Sequence, residues 1–136
     1  MATAQSFKTW MRRAVSLHKM KNKISLTQKF AMFSDHWAPR TVATLNDYDI
    51  MIVKLLGQYT WHRHADTDEF FFVLQGELEI ELRDRSVTLG PGDLFVVPRG
   101  EEHRPHARRE VELLLIEPSG TPNSGDPETA APRQCV

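Results

Sequence analysis

The chain has 136 residues, 40% hydrophobic and 26% charged, and its 17 Lys and Arg against 18 Asp and Glu give a formal net charge of -1. That is one domain's worth of chain with enough apolar side chains for a core, so disorder throughout is excluded, and no global charge recommends nucleic acid as a partner. No apolar run approaches the roughly 18 residues of a membrane helix and Cys135 is the only cysteine, which leaves no disulfide scaffold and points to a soluble, cytoplasmic protein without a membrane partner.

The charge is unevenly spread. Residues 1–34 carry 7 basic and no acidic side chains, leaving 10 basic against 18 acidic in residues 35–136. Residues 1–23 are read as a flexible basic extension, with an organelle-targeting segment or a contact arm as the alternatives. Ser25-Leu26-Thr27-Gln28 has the capping-box pattern and predicts a short helix over Leu26–Phe33. After His36-Trp37-Ala38-Pro39 the grammar becomes that of strands separated by Gly, Pro and Asp. Strands are predicted over Arg40–Leu45, Asp49–Leu56, Gln58–His64, Glu69–Leu74, Glu77–Arg83, Val87–Leu89, Leu94–Val97 and Val111–Glu117. So many short strands make an all-β sandwich or barrel, here over residues 24–118. Residues 119–136, rich in Pro, Ser, Gly, Thr and Ala, are read as a disordered tail.

Two strands indicate how the sheet faces. Leu78, Ile80 and Leu82 alternate with Glu77, Glu79 and Glu81, so the leucine and isoleucine row faces a core and the acidic row faces water. Phe70-Phe71-Phe72-Val73-Leu74 is apolar on both faces. A second sheet, the N-terminal helix or another subunit must cover its outer side.

His62 and His64 lie two apart and share a face of their predicted strand, and Glu69 follows after a four-residue turn. Glu69 shares its face with Phe71 and Val73, so its charge needs compensation, which a divalent cation held jointly with imidazoles would give. His103, after the strand Leu94–Val97, offers a third imidazole. Gln58 and Thr60 have the parity of the two histidines and are candidate pocket residues, with His106 a further candidate contact. Tyr59, Trp61 and Arg63 have the opposite parity and are assigned to an outer face or interface. His36 and His18 are read as surface residues. No phosphate loop, nucleophile elbow or paired-cysteine motif is present in the sequence, so acyl transfer and nucleotide chemistry lack support.

The spacing resembles that of the cupin superfamily. Its first motif, Gly, a spacer, His-x-His, three or four residues, Glu, six residues and Gly, is matched by Gly57, His62, His64, Glu69 and Gly76. Its second, Gly, five residues, Pro-x-Gly, two residues and His, is matched by Gly92, Pro98, Gly100 and His103. Two departures are a spacer of four residues after Gly57 where five are usual, and Ala107 where the family often has Asn. The resemblance, over about residues 40–118, implies a single cupin-type β-barrel, a double-stranded β-helix or jelly roll. It also implies His62, His64, Glu69 and His103 as metal ligands and a homodimer.

Three imidazoles and one carboxylate favour Mn, Fe, Co, Ni or Zn and leave one or two positions open on an octahedral ion. The expectation is a metal-dependent oxygenase or isomerase acting on a small polar metabolite, with a non-catalytic small-molecule binding or sensing module as the alternative.

Overall fold

The computed structural model describes residues 22–136, so the expectation for the basic extension falls almost wholly outside the described residues. Ser25 caps helix α1 (Leu26–Phe30) by accepting a hydrogen bond from the Gln28 amide at 3.3 Å. The helix stops at Phe30, three residues short of the predicted Phe33. Eight strands follow: β1 (Arg40–Leu45), β2 (Tyr48–Gln58), β3 (Glu69–Gln75), β4 (Leu78–Leu82), β5 (Ser86–Leu89), β6 (Leu94–Val97), β7 (His103–Pro118) and β8 (Gln134–Cys135). They form an all-β barrel with one short N-terminal helix. No described helix is long and apolar enough to cross a membrane.

The barrel is organised by β7. Its first residues pair with β4, from Leu82↔His103 to Glu79↔His106, and its later residues lie between β2 (Ile52↔Leu114) and β3 (Val73↔Leu113). Strand order runs β5-β4-β7-β2-β1-β8, while β3 joins β7 to β6. Alternation along these strands sends Val53, Leu55, Phe71, Val73, Leu78, Ile80, Val111 and Leu113 into the interior cluster. A second cluster lies outside the sheet, where Phe30 of α1 packs with Val42 and Ile52, and Leu74 and Leu114 border it. The N-terminal helix thus covers the Leu74 end of the apolar Phe70–Leu74 run. Along the rest of that face, Phe72 pairs with Leu94 and Phe70 with Val96, and Leu94 and Val96 stay exposed at 57% and 42%.

Three stretches differ from the sequence reading. The predicted strand Gln58–His64 does not form: β2 continues to Gln58, and only an isolated bridge joins His62 to His103. Gly57, at φ 89, sits beside a register shift between Leu55 and Gly57, and the chain after it no longer follows the β2 alternation. The predicted Val111–Glu117 strand begins eight residues earlier, at His103. Its early half is masked by outward charges, for Arg104 and Arg108 flank the buried Pro105 and Ala107. Residues 119–136, read as a disordered tail, are instead turns ending in β8, which runs parallel to β1. Their composition builds no core. The segment is held by anchors to the barrel, with the Arg133 Nε and Nη2 donating to Asp49 at 2.8 and 3.0 Å.

Candidate metal centre

Three pieces of chain meet inside the barrel. Glu69 is the first residue of β3 and His103 the first of β7, and both face inward. His62 lies in the irregular stretch between β2 and β3, tied to His103 by two backbone hydrogen bonds of 3.1 and 2.9 Å. His64 is held by its carbonyl, which accepts from the Gly100 amide at 2.8 Å. The side chains of His62, His64, His103 and Glu69 are 5%, 3%, 1% and 7% exposed, so water contributes little to their solvation.

The rings are oriented from behind. The Nδ1 of His62 lies 2.9 Å from the Thr60 carbonyl and the Nδ1 of His103 lies 3.0 Å from the Glu101 carbonyl. A carbonyl only accepts, so Nδ1 carries a proton in both rings and Nε2 is the atom turned toward Glu69. All three Nε2 atoms surround Glu69 Oε2, at 3.7 Å for His62, 2.9 Å for His64 and 2.5 Å for His103. Burial pushes the Glu69 carboxyl upward, but His103 first, then His62 and His64, hold it well below the usual carboxylate range. Glu69 is an anion.

These side chains fit a divalent ion. One donor atom from each lies within 4.8 Å of the others. Donors about 2.1 Å from an octahedral ion stand roughly 3 Å apart at right angles and about 4.2 Å apart across it. Moreover, the Nε2 atoms of His62 and His64 are buried without a hydrogen-bond partner among the described residues, since the 2.9 Å approach of His64 to Glu69 lacks hydrogen-bond geometry. Two buried ring nitrogens without a hydrogen-bond partner, beside a carboxylate side chain, are what a cation would satisfy.

The other candidates fall elsewhere. Gln58 is exposed and donates to Glu81 Oε2 at 3.2 Å on the outside of the barrel, so it does not line the pocket. His106, paired opposite Gln58 and Glu79, also belongs to that outer face. Thr60 has an exposed side chain and serves the centre through its carbonyl. Trp61 lies outside under the guanidinium groups of Arg83 and Arg104, 3.8 and 4.8 Å from its ring centre, as its parity implied. His36 pairs with Glu110 at 2.7 Å.

Tyr59, expected outside, lines a cavity of about 30 Å³ together with Trp37, His62, Glu69, Phe71 and Asn123. Its ring stacks on Trp37 at 4.7 Å and meets His62 edge-on at 5.2 Å. The signal for this inversion is Gly57, where the strand parity breaks. Burial, with the Glu69 charge second, raises the Tyr59 phenol above its ordinary value. A larger cavity of about 230 Å³ also touches Glu69 and extends under residues 118–133.

Residues 50–117 match the family described as a cupin domain. The protein YdbB of Bacillus subtilis is 31% identical over 106 residues, covering 74% of this chain and 88% of YdbB. A putative dioxygenase of Saccharolobus solfataricus is 28% identical over 94 residues, which is 67% of this chain but only 24% of that protein. Among solved structures, a cupin-2 domain containing protein from Shewanella frigidimarina superposes with a TM-score of 0.69 at 46% identity, covering 70% of this chain and 93% of that one.

Proposed function

This chain belongs to the cupin family, and we propose that it is a metalloprotein in which His62, His64, Glu69 and His103 hold one divalent transition ion. The observation that carries this reading is the pair of buried, unpartnered Nε2 atoms of His62 and His64 beside the Glu69 carboxylate. Imidazole and carboxylate together suit Mn, Fe, Co, Ni or Zn better than Mg or Ca. Such an ion supplies Lewis acidity and open positions for an oxygen ligand.

The activity proposed is that of an oxygenase or isomerase on a small polar molecule. The likeness to the dioxygenase-named protein of Saccharolobus solfataricus supports it, over a shared region that is 24% of that protein. In this reading the chain's own residues orient and exclude: Thr60 and Glu101 fix the two imidazoles, and Trp37, Tyr59 and Phe71 keep water from the ion. A second reading, a non-catalytic binding or sensing module, is favoured by the lining of the smaller cavity. Apart from the four proposed ligands, that lining offers the Tyr59 phenol as its one acid or base. Two copies are proposed to pair through the exposed Leu94 and Val96 beside Phe70 and Phe72.

Elemental analysis of protein purified without added metal tests the first step, with close to one transition ion per chain expected. Turnover requiring that ion then marks an enzyme, and saturable binding without product marks a binder.

A further inference from the structure

The larger cavity reaches from Glu69 to Glu117, roofed by residues 118–133 and floored by inward side chains of β1, β2 and β7. At about 230 Å³ it exceeds the ~150 Å³ cavity that admits benzene, so it takes a six-membered ring with substituents. Met51, Leu115, Pro122 and Pro132 supply apolar walls for such a ring.

Its polar lining is nearly all matched. Asp49 accepts from Arg133 at 2.8 and 3.0 Å and from Ser119 at 2.8 Å, so that charge is neutralised in place. The Asn123 Oδ1 accepts from the Ala131 amide at 2.8 Å, and its Nδ2 lies 3.4 Å from both the Trp37 carbonyl and the Tyr59 hydroxyl. Glu117 is the exception. It is 2% exposed, lines the cavity, and its carboxyl has no hydrogen bond or ion pair among the described residues. Left so, a buried carboxyl is costly, and a bound group that bonds it removes the cost. Burial, with the Glu69 charge second, pushes its pKa up to about 9, which favours the protonated form, whose O–H can donate.

We propose that Glu117 is a second recognition point of this pocket, taking a small neutral ring compound that directs one oxygen toward the metal centre at its Glu69 side and presents another oxygen acceptor to the Glu117 carboxyl. The first contact rests on the metal reading, whereas the second stands on the cavity and its unpartnered acid. A carboxyl that donates discriminates against a methyl group at the same place, because the methyl leaves the buried acid unmatched.

Calorimetry on the full chain loaded with cobalt tests this with three matched probes: 4-hydroxybenzyl alcohol, 4-ethylphenol and 4-hydroxybenzylamine. The alcohol should bind about tenfold more tightly than the ethyl compound, the worth of one buried hydrogen bond. Glu117→Gln, which keeps an N–H donor, should retain that preference, and Glu117→Leu should abolish it while binding 4-ethylphenol as the wild type does. Equal affinities in the wild-type protein, no binding of either probe, or a preference that survives Glu117→Leu would each overturn the proposal. So would tighter binding of the amine than of the alcohol, which would make Glu117 a site for cations. If the protein takes up no cobalt yet the tenfold preference and its loss in Glu117→Leu persist, the metal reading fails and the Glu117 contact stands.

Discussion

Two histidine rings of the centre, those of His62 and His103, are held from the backbone side, and the consequence is that one particular nitrogen of each is offered. With Nδ1 bonded to the Thr60 carbonyl in His62 and to the Glu101 carbonyl in His103, the Nε2 atoms converge on Glu69 without an induced rearrangement. Replacing a group behind a metal-bound histidine typically weakens binding by about 10–100-fold, so removing a ligand itself should cost at least that. His62→Ala and Glu69→Ala should therefore weaken cobalt binding by about 100-fold in a competition titration against a chelator. An unchanged affinity in either variant would remove that residue from the site. The nearness of His62, His64 and Glu69 was legible from the short turn between them, and the place of His103 only from the resemblance to the second cupin motif. Tyr59, Asn123 and Glu117 were not, since their inward orientation depends on a bulge at Gly57, on the course of residues 119–133, and on the way β7 crosses the barrel. Glu117 also makes a pH prediction. Its folded pKa, raised to about 9 from 4.5, means the folded state binds the extra proton between those values, so its contribution to stability is full below about 4.5 and is lost as pH rises toward 9. The melting temperature of Glu117→Gln, measured from pH 5 to 9 by circular dichroism, should gain on the wild type as pH rises. Parallel curves would contradict a neutral Glu117.

At the level of elements, the segment from residue 119 to 136 is the main departure from what the sequence suggests. Low hydrophobicity and abundant Pro and Gly argue against an independent core, and none is built. Order comes instead from pinning to the barrel, by Arg133 on Asp49, by Asn123 at Trp37 and Tyr59, and by β8 on β1. Gly125 is the tightest of these contacts. A Cβ added there would collide with the Arg63 carbonyl oxygen, and φ is 76 besides. Gly125→Ala should thus shift the roof of the larger cavity and lower stability by about 1–3 kcal/mol. Faster amide exchange confined to residues 119–136 would mark the effect, and exchange identical to wild type would show that the segment is not seated on the Arg63 backbone. The strands themselves were largely readable, since β1 and β6 fall on the predicted residues and strict alternation in Leu78–Leu82 gave its facing. The early half of β7 was not, because arginines on its outer side and Pro105 within it hide an inward row that includes His103.

For the whole molecule, the barrel accounts for most of the inward apolar residues but leaves the outer side of β3 and β6 incompletely covered. Helix α1 reaches Leu74, whereas Leu94 and Val96 remain open to solvent beside Phe70 and Phe72. A second copy covering this face would bury it, and light scattering at micromolar concentration should return twice the 15.6 kDa chain mass. Leu94→Glu should return the single-chain mass, and a wild-type monomer would assign the patch another role. The account as a whole depends on side chains from three separate stretches gathering about a single cation within the barrel. Anomalous diffraction from crystals grown with cobalt tests this most directly. One peak bonded to the Nε2 atoms of His62, His64 and His103 and to a Glu69 oxygen is the predicted result, and an ordered, peak-free cluster with cobalt in excess would contradict it.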